Sequence, residues 1–272
     1  MKDMTQGNPV KEVLLFSVPM ILASVFQQMY NAVDSIIVGQ FVGANALAAV
    51  GAAFPAMFLA MSVLIGITMG VQIIISQLFG AGEHERMRAT FATSIISLMI
   101  LVVIASVIGY FASGTILELM NTPPEIIADS KAYLDEIFKG LIFMFLYNLY
   151  TSVLRGVGDS KTPLYFLIIS SILNIVLDLV YVIQFGMGVR GVAIATVQSQ
   201  AVSVILCIIY TNIRIPLFRL GLRDLRVDFD ILKTIFRFGI PTAIQQSISA
   251  IGSMFVQGLV NSFGATAAAA FA

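Results

Sequence analysis

Ser35 to Gly82 reads SIIVGQFVGANALAAVGAAFPAMFLAMSVLIGITMGVQIIISQLFGAG, 48 residues without one charge. A helix needs about 20 mostly apolar residues to cross the roughly 30 Å hydrocarbon core of a bilayer. The run is too long for one crossing. Turn-prone Gly39 to Asn45 divides it, with the end of span one before and span two at about Ala46 to Phe79. Outward from there, Glu12 to Asp34 encloses span one and Ala89 to Leu117 holds span three. Span four is confined to the 15 uncharged residues between Lys139 and Arg155, so Lys139 is expected to snorkel from a helix end. Span five runs from about Thr162 to Phe185 with Asp178 inside it, span six lies in Gly191 to Ile213, and span seven runs from Phe238 to about Phe263. Strands of a membrane barrel alternate polar and apolar residues and these runs do not, which makes the chain an all-α membrane protein.

Composition agrees. Of 272 residues 58% are hydrophobic and 11% charged, with mean hydropathy +0.96, against about 25% charge in an ordinary soluble domain. The formal net charge is zero, so nothing points to nucleic acid as a partner. A single cysteine, Cys207, excludes an internal disulfide and a cysteine metal cluster. MKDMTQGNPV lacks the basic start and short apolar core of a removable signal peptide.

The flanking charges orient the spans. With the N-terminus in the cytoplasm, Lys2, Lys11, Arg86, Arg88, Arg155, Lys161, Arg214, Arg219, Arg223, Arg226, Lys233 and Arg237 fall inside, and only Lys131, Lys139 and Arg190 outside. Twelve of fifteen is a strong positive-inside bias, and the expected location is a plasma membrane crossed several times. Glu118, Glu125, Asp129, Asp135 and Glu136 are expected in an outer loop with the turn Asn121-Thr122-Pro123-Pro124. Between spans six and seven, Phe218, Leu222, Leu225, Phe229, Leu232 and Phe236 recur at helical spacing among basic residues. That segment reads either as a helix lying on the anionic inner leaflet or as a linker packed on protein.

A repeat is visible. Phe16-Ser17-Val18-Pro19 returns as Phe238-Gly239-Ile240-Pro241 at an offset of 222, and Gly43-Ala44 with Ala46 returns as Gly264-Ala265 with Ala267 at 221, one residue fewer. Six spans separate the copies, so they run parallel, related by an axis along the membrane normal. The expected domains are a six-helix transmembrane lobe (1–213), a cytoplasmic basic amphipathic linker (214–237) and the first span of a C-terminal lobe (238–272) whose remainder is missing.

Two carboxylates lie well inside spans, Asp34 and Asp178, and intramembrane charges usually face a bundle interior and mark ion or substrate routes. Gln27, Asn31 and Asp34 share one face of span one, with Tyr30 beside them. Ser170, Asn174, Asp178 and Tyr181 form a stripe on span five. Thr196, Gln200 and Ser203 do so on span six, and Thr68 and Gln72 on span two. Interhelical hydrogen bonding alone explains the amides and hydroxyls, but it does not require a charge. An interior lined by acids and amides without Lys or Arg suits a cation. Gln27, Tyr30, Asn31, Gln72, Tyr181 and Gln200 are the candidate cavity residues. No enzyme is indicated: Arg155 to Pro163 has Ser160 where a P-loop needs glycine, no paired magnesium-binding acids occur, His84 lies in a charged loop, and no nucleophile, base and orienting group assemble.

These residues resemble the multidrug and toxic compound extrusion (MATE) family of secondary antiporters. The resemblance rests on Pro19 with Gln27, Asn31, Asp34 and Gly39-Gln40, on Gln77-x-x-Gly80-Ala81-Gly82, on Arg155-Gly156-x-Gly158-Asp159-x-x-x-Pro163, and on Asn174-x-x-x-Asp178 followed by Thr196. It implies twelve spans in two six-helix lobes and export of a small organic cation in exchange for protons or sodium. No cofactor is implied. The resemblance also implies that the ion, proton or sodium, is held by Asp34, Asn174, Asp178 and Thr196, with span one expected to bend near Pro19, where a backbone hydrogen bond is lost. A lipid-linked precursor flippase, which needs cavity Arg or Lys, and an uncoupled channel or scaffold are the alternatives.

Overall fold

Each uncharged run folds as a long helix, and the turns fall where the backbone is forced out of helical geometry. The computed structural model describes residues 9–221 and 226–271. Among them α1 spans Pro9–Ile37, α2 Ala44–Ala81, α3 His84–Leu119, α4 Pro124–Gly156, α5 Lys161–Leu179, α6 Gly188–Arg214, α7 Phe229–Asn261 and α8 Ala265–Phe271. Single π-helical turns follow α1 (Val38–Val42) and α5 (Val180–Gln184). Six segments, from α1 to α6, are long and apolar enough to cross a membrane. α7 has the length, 33 residues, with Gln and Ser diluting its apolar character.

The turns have local causes. Gly82 adopts a left-handed φ of 71° and its N–H closes onto the carbonyls of Leu78 and Phe79, ending α2. Asp159 starts α5 by accepting from the Thr162 backbone N–H (3.0 Å) and hydroxyl (2.7 Å), as an N-terminal cap does. Asp228 does the same for α7 through Asp230 and Ile231.

α2 is the hub, flanked by α3, α4, α7 and α8. Its crossing with α7 is made by small residues. A Cβ on Gly66 would strike the Ala243 backbone, and one on Gly70 would come within 2.5 Å of the Ile235 carbonyl and 2.8 Å of the Gly239 nitrogen. Glycine at these two places lets the backbones touch, the usual device where lipid supplies no hydrophobic drive between helices. Gly109 against the Phe138 ring joins α3 to α4, and Gly140 against Val197 joins α4 to α6. α1 is held more lightly, chiefly through Ala23 on Leu164 and Leu167 of α5.

The repeat carries through to backbone detail. Both copies have a proline inside the helix, Pro19 in α1 and Pro241 in α7, and both break at a positive-φ glycine, Gly43 (121°) and Gly264 (94°), before a new helix begins. The change of offset from 222 to 221 has a structural counterpart. A π turn closes i to i+5 and absorbs one extra residue, and Val38–Val42 is such a turn in the first copy only.

Three expectations need correction. Glu118, Glu125, Asp129, Asp135 and Glu136 belong to no loop, because Glu118 lies in the last turn of α3 and α4 starts at Pro124 and runs unbroken through the other four, with Lys131 among them. Lys139 accordingly lies in the middle of α4, not at an end, and its charge is met by Glu136 (3.0 Å). The apolar stripe of 214–237 forms no single helix. Pro216–Phe218 is one 3₁₀ turn, residues 219–221 and 226–228 are not helical, and α7 starts at Phe229. Phe218 is buried with its ring 5.0 Å from that of Phe91, so this end packs on protein. Leu222, Arg223 and Leu225 of that stripe, Lys2 and Ala272 lie outside the described residues.

Candidate functional site

A cavity of about 550 Å³ opens between α1, α2, α4 and α6. One wall is polar: Gln27, Tyr30, Asn31, Asp34 and Ser35 from α1, Tyr133, Tyr147 and Asn148 from α4, and Thr196 and Gln200 from α6. The other is soft and apolar, with Phe54, Met57, Phe58 and Met61 one after another along α2. The Phe54 and Phe58 rings are parallel with centroids 6.1 Å apart. No Lys or Arg is among the lining residues.

Asp34 projects from the last turn of α1, just ahead of the π turn, into this polar wall. Asp178 meets it from α5, fully buried, and the two carboxyl groups come within hydrogen-bonding reach of one another. Asn174, one turn earlier on α5 and also fully buried, completes the group. With its amide nitrogen toward Asp178 it donates to Oδ2 at 2.9 Å while its oxygen accepts from the Thr196 N–H at 3.2 Å, whereas the reverse orientation offers only a 3.4 Å bond from the amide nitrogen to the Thr196 hydroxyl. The Tyr30 hydroxyl reaches Thr196, and Gln27 donates to Asn31 Oδ1 at 3.2 Å. One oxygen of each carboxyl, Asp34 Oδ1 and Asp178 Oδ1, is buried without a partner.

Two carboxylates cannot stand this close in a dry interior with both charges bare. The pair therefore calls for a positive species between or beside its oxygens. With the Asn174 amide already engaged, the unpartnered atoms are two carboxylate oxygens. They match the needs of a shared proton in full and those of a sodium ion in part, with the Thr196 hydroxyl as a further oxygen.

Asp34, Asn174, Asp178 and Thr196, read from three separate spans, are thus brought into one cluster, and Gln27, Tyr30, Asn31 and Gln200 line the adjoining cavity. Gln72 and Tyr181 do not. Gln72 lies farther along α2, its carbonyl beside Gly156, well past the last lining residue of that helix, Ile65. Tyr181 is turned away by the π turn that starts at Val180, and its hydroxyl donates to Gln198 at 2.6 Å. Pro19 is buried within α1, which continues through it. Sequence reasoning missed the α2 wall and the α4 residues Tyr133, Tyr147 and Asn148. The signal was present. Phe54, Met57, Phe58 and Met61 recur at steps of three, one and three, opposite the small buried face Ala49, Ala52, Ala53 and Ala56.

Comparison with known proteins fits this architecture. Residues 19–180 match the family model MatE. The chain is 37% identical over 268 residues to "Probable multidrug resistance protein YoeA" of Bacillus subtilis (strain 168), covering 96% of this chain and 58% of that protein. It is 31% identical over 270 residues to "Probable multidrug resistance protein YpnP" of the same strain, with the same two coverages. Its fold superposes on a crystal structure of MATE in the straight conformation with TM-score 0.84 and 27% identity, over 99% of this chain and 61% of that one. The chain therefore spans somewhat more than half the length of these relatives.

Proposed function

The chain belongs to the MatE family of membrane transporters, and from that premise we propose that it is the ion-coupled lobe of an antiporter that exports organic cations in exchange for protons or sodium. The observation that carries the reading is the Asp34–Asp178 pair at the edge of a cavity with acids and amides on one side, aromatic and methionine side chains on the other, and no lysine or arginine. A lipid-phosphate substrate would meet a carboxylate there. An organic cation finds a counter-charge and a polarisable wall, and methionine-rich surfaces adapt to varied shapes.

Ion and drug then compete for one charge. When a proton or sodium ion enters the pair, Asp34 no longer compensates a bound cation, which leaves. When the ion departs, the bare carboxylates attract the next substrate. α1 suits the moving part, since exposed apolar residues, among them Val18, Ile21, Val25, Met29 and Ile36, run along its outer side and Pro19 removes one backbone hydrogen bond from it. A second lobe packed on the exposed polar side of α7 (Gln245, Ser249, Ser253) is the partner in this scheme, and the 1–272 polypeptide expressed alone is expected to export nothing.

We place the N-terminus in the cytoplasm of a plasma-membrane protein. The three cations assigned outside support this, because each has an acid of α4 within reach. Lys131 is 2.6 Å from Asp135, Lys139 is 3.0 Å and Arg190 2.9 Å from Glu136, and both lysines lie over the Tyr110 ring. In a Cys207→Ala background, Glu125→Cys should label from outside and Lys161→Cys only after permeabilisation. The reverse pattern would overturn the orientation. The transport reading is tested by counter-ion-driven export of a fluorescent organic cation from vesicles holding the chain with its second lobe. Parental export by Asp34→Asn at equal expression would make the carboxylate structural.

A further inference from the structure

Buried side-chain atoms without a hydrogen-bond partner recur at Asp34, Asp178, Ser203, Thr211 and Arg155, that is, in the carboxyl pair, along α6 and near the end of α4. Asp34 Oδ1 and Asp178 Oδ1 belong to the pair. Farther along α6, Ser203 and Thr211 are almost wholly buried and their hydroxyls bond nothing in the protein, with the buried thiol of Cys207 between them. Thr196, Ser203, Cys207 and Thr211 are spaced by seven, four and four residues, which keeps them on one face of the helix. At Cys207 that face meets α4. Cys207 lies within electrostatic reach of Tyr147 and Tyr150, and Arg155, two turns past Tyr147 and within reach of it, has its Nε buried and unpartnered.

An orphan hydroxyl in an apolar core is costly, and protein interiors answer such groups with water that makes two to four hydrogen bonds. One orphan is an accident of side-chain rotation. Two orphan hydroxyls on one face of α6, with a thiol midway between them at steps of about 6 Å along the helix, starting about 10 Å beyond Thr196 at the carboxyl pair and with an unpartnered guanidinium nitrogen on α4, mark a track. Hydroxyls also both donate and accept, so a proton arriving on one side of each group can leave from the other, with one O–H bond formed for each one broken.

We propose that the α4–α6 seam holds a line of water joining the Asp34–Asp178 pair to the Arg155 end of the lobe, a proton approach to the pair separate from the cavity. The use of that line by protons rests on the coupling role given to the pair above; the line itself does not.

Cys207 is the one cysteine of the chain, so its S–H stretch is a single infrared band, and the loss of that band in D₂O reports water at the middle of the seam. In the full chain in lipid nanodiscs, exchange is expected to be complete within the first spectra. Ser203→Ala combined with Thr211→Val should slow it by at least about tenfold with helix content unchanged. Ser203→Ala alone removes one oxygen and should act in the same direction, which serves if the double variant fails to fold. The exchange is read with no ion gradient and no substrate present, so failure of the coupling reading cannot imitate failure of the seam. A parental S–H band that persists for hours, or an exchange rate indifferent to the loss of the hydroxyls, overturns the proposal.

Discussion

α1 and α7 are copies of one element put to opposite uses. Both carry an interior proline and end on a positive-φ glycine. α7 is clamped to α2 by backbone contact at Gly66, Gly70, Gly239 and Ala243 and by the Ser62–Ser247 hydrogen bond (3.0 Å), and at its far end to the end of α3 by Asn261 donating to the Met120 carbonyl (3.1 Å). α1 has no such clamp. At the repeat offset, its Gln27, Asn31 and Asp34 are replaced by Ser249, Ser253 and Val256, and with the carboxylate goes the π turn. Charge, irregular backbone and light packing occur together in one copy, while small residues and close packing occur in the other. The pairing makes physical sense. On the function proposed above, a helix that trades partners around a buried charge cannot also be interlocked with its neighbour, whereas a helix leading to a second lobe would gain from being fixed.

The comparison breaks first at the charge. Asp34→Asn keeps size and most hydrogen bonding, so folding should persist while ion-driven export falls by about a hundredfold or more, the scale of losing a positioned proton carrier. Val256→Asp in the same protein should not restore it, since α7 presents that position on its exposed side. Next comes the clamp. Gly66→Leu drives a side chain into the Ala243 backbone and should cost about 3 kcal/mol of thermal stability in nanodiscs, whereas Ala23→Leu at the α1–α5 contact should cost about 1 kcal/mol. Equal costs would mean that α1 is as tightly held as α7. Asn174→Ala removes the amide between Asp178 and Thr196 and should weaken ion binding by about tenfold, the loss of one charge-assisted hydrogen bond. The smallest effect belongs to Asn261→Ala, about 0.6 kcal/mol, the average for an interhelical hydrogen bond in a membrane.

What the sequence made legible was whatever follows from helical period. Helical period put Asp34, Asn174, Asp178 and Thr196 on the polar stripes of three spans, and the family resemblance picked these four out of the stripes as one set. Depth along a helix is not in that pattern, and Gln72 shares the α2 stripe of Thr68 yet lies too far along to reach the cavity. Irregular backbone is not in it either, so Tyr181 was assigned to the face it would occupy without the π turn. Phe54, Met57, Phe58 and Met61 were hidden by chemistry, since apolar side chains facing a cavity and apolar side chains facing lipid look alike. The 214–237 stripe had helical spacing but also Pro216, which has no N–H to give, and Phe218 found a better site against Phe91 than the membrane surface offers.

The uncharged stretch that divides the first two spans has a consequence for how the lobe stands in its bilayer. α2 is 38 residues long, about 57 Å at the α-helical rise, against roughly 40–45 Å for a bilayer with its headgroups. It carries no lysine, arginine, aspartate or glutamate anywhere along it to pin either end at an interface. Its tilt is therefore set by its neighbours α4 and α7 and by the thickness of the lipid around it. A thinner membrane should lay this helix down and a thicker one stand it up, and the cavity wall formed by its aromatic and methionine side chains would turn with it.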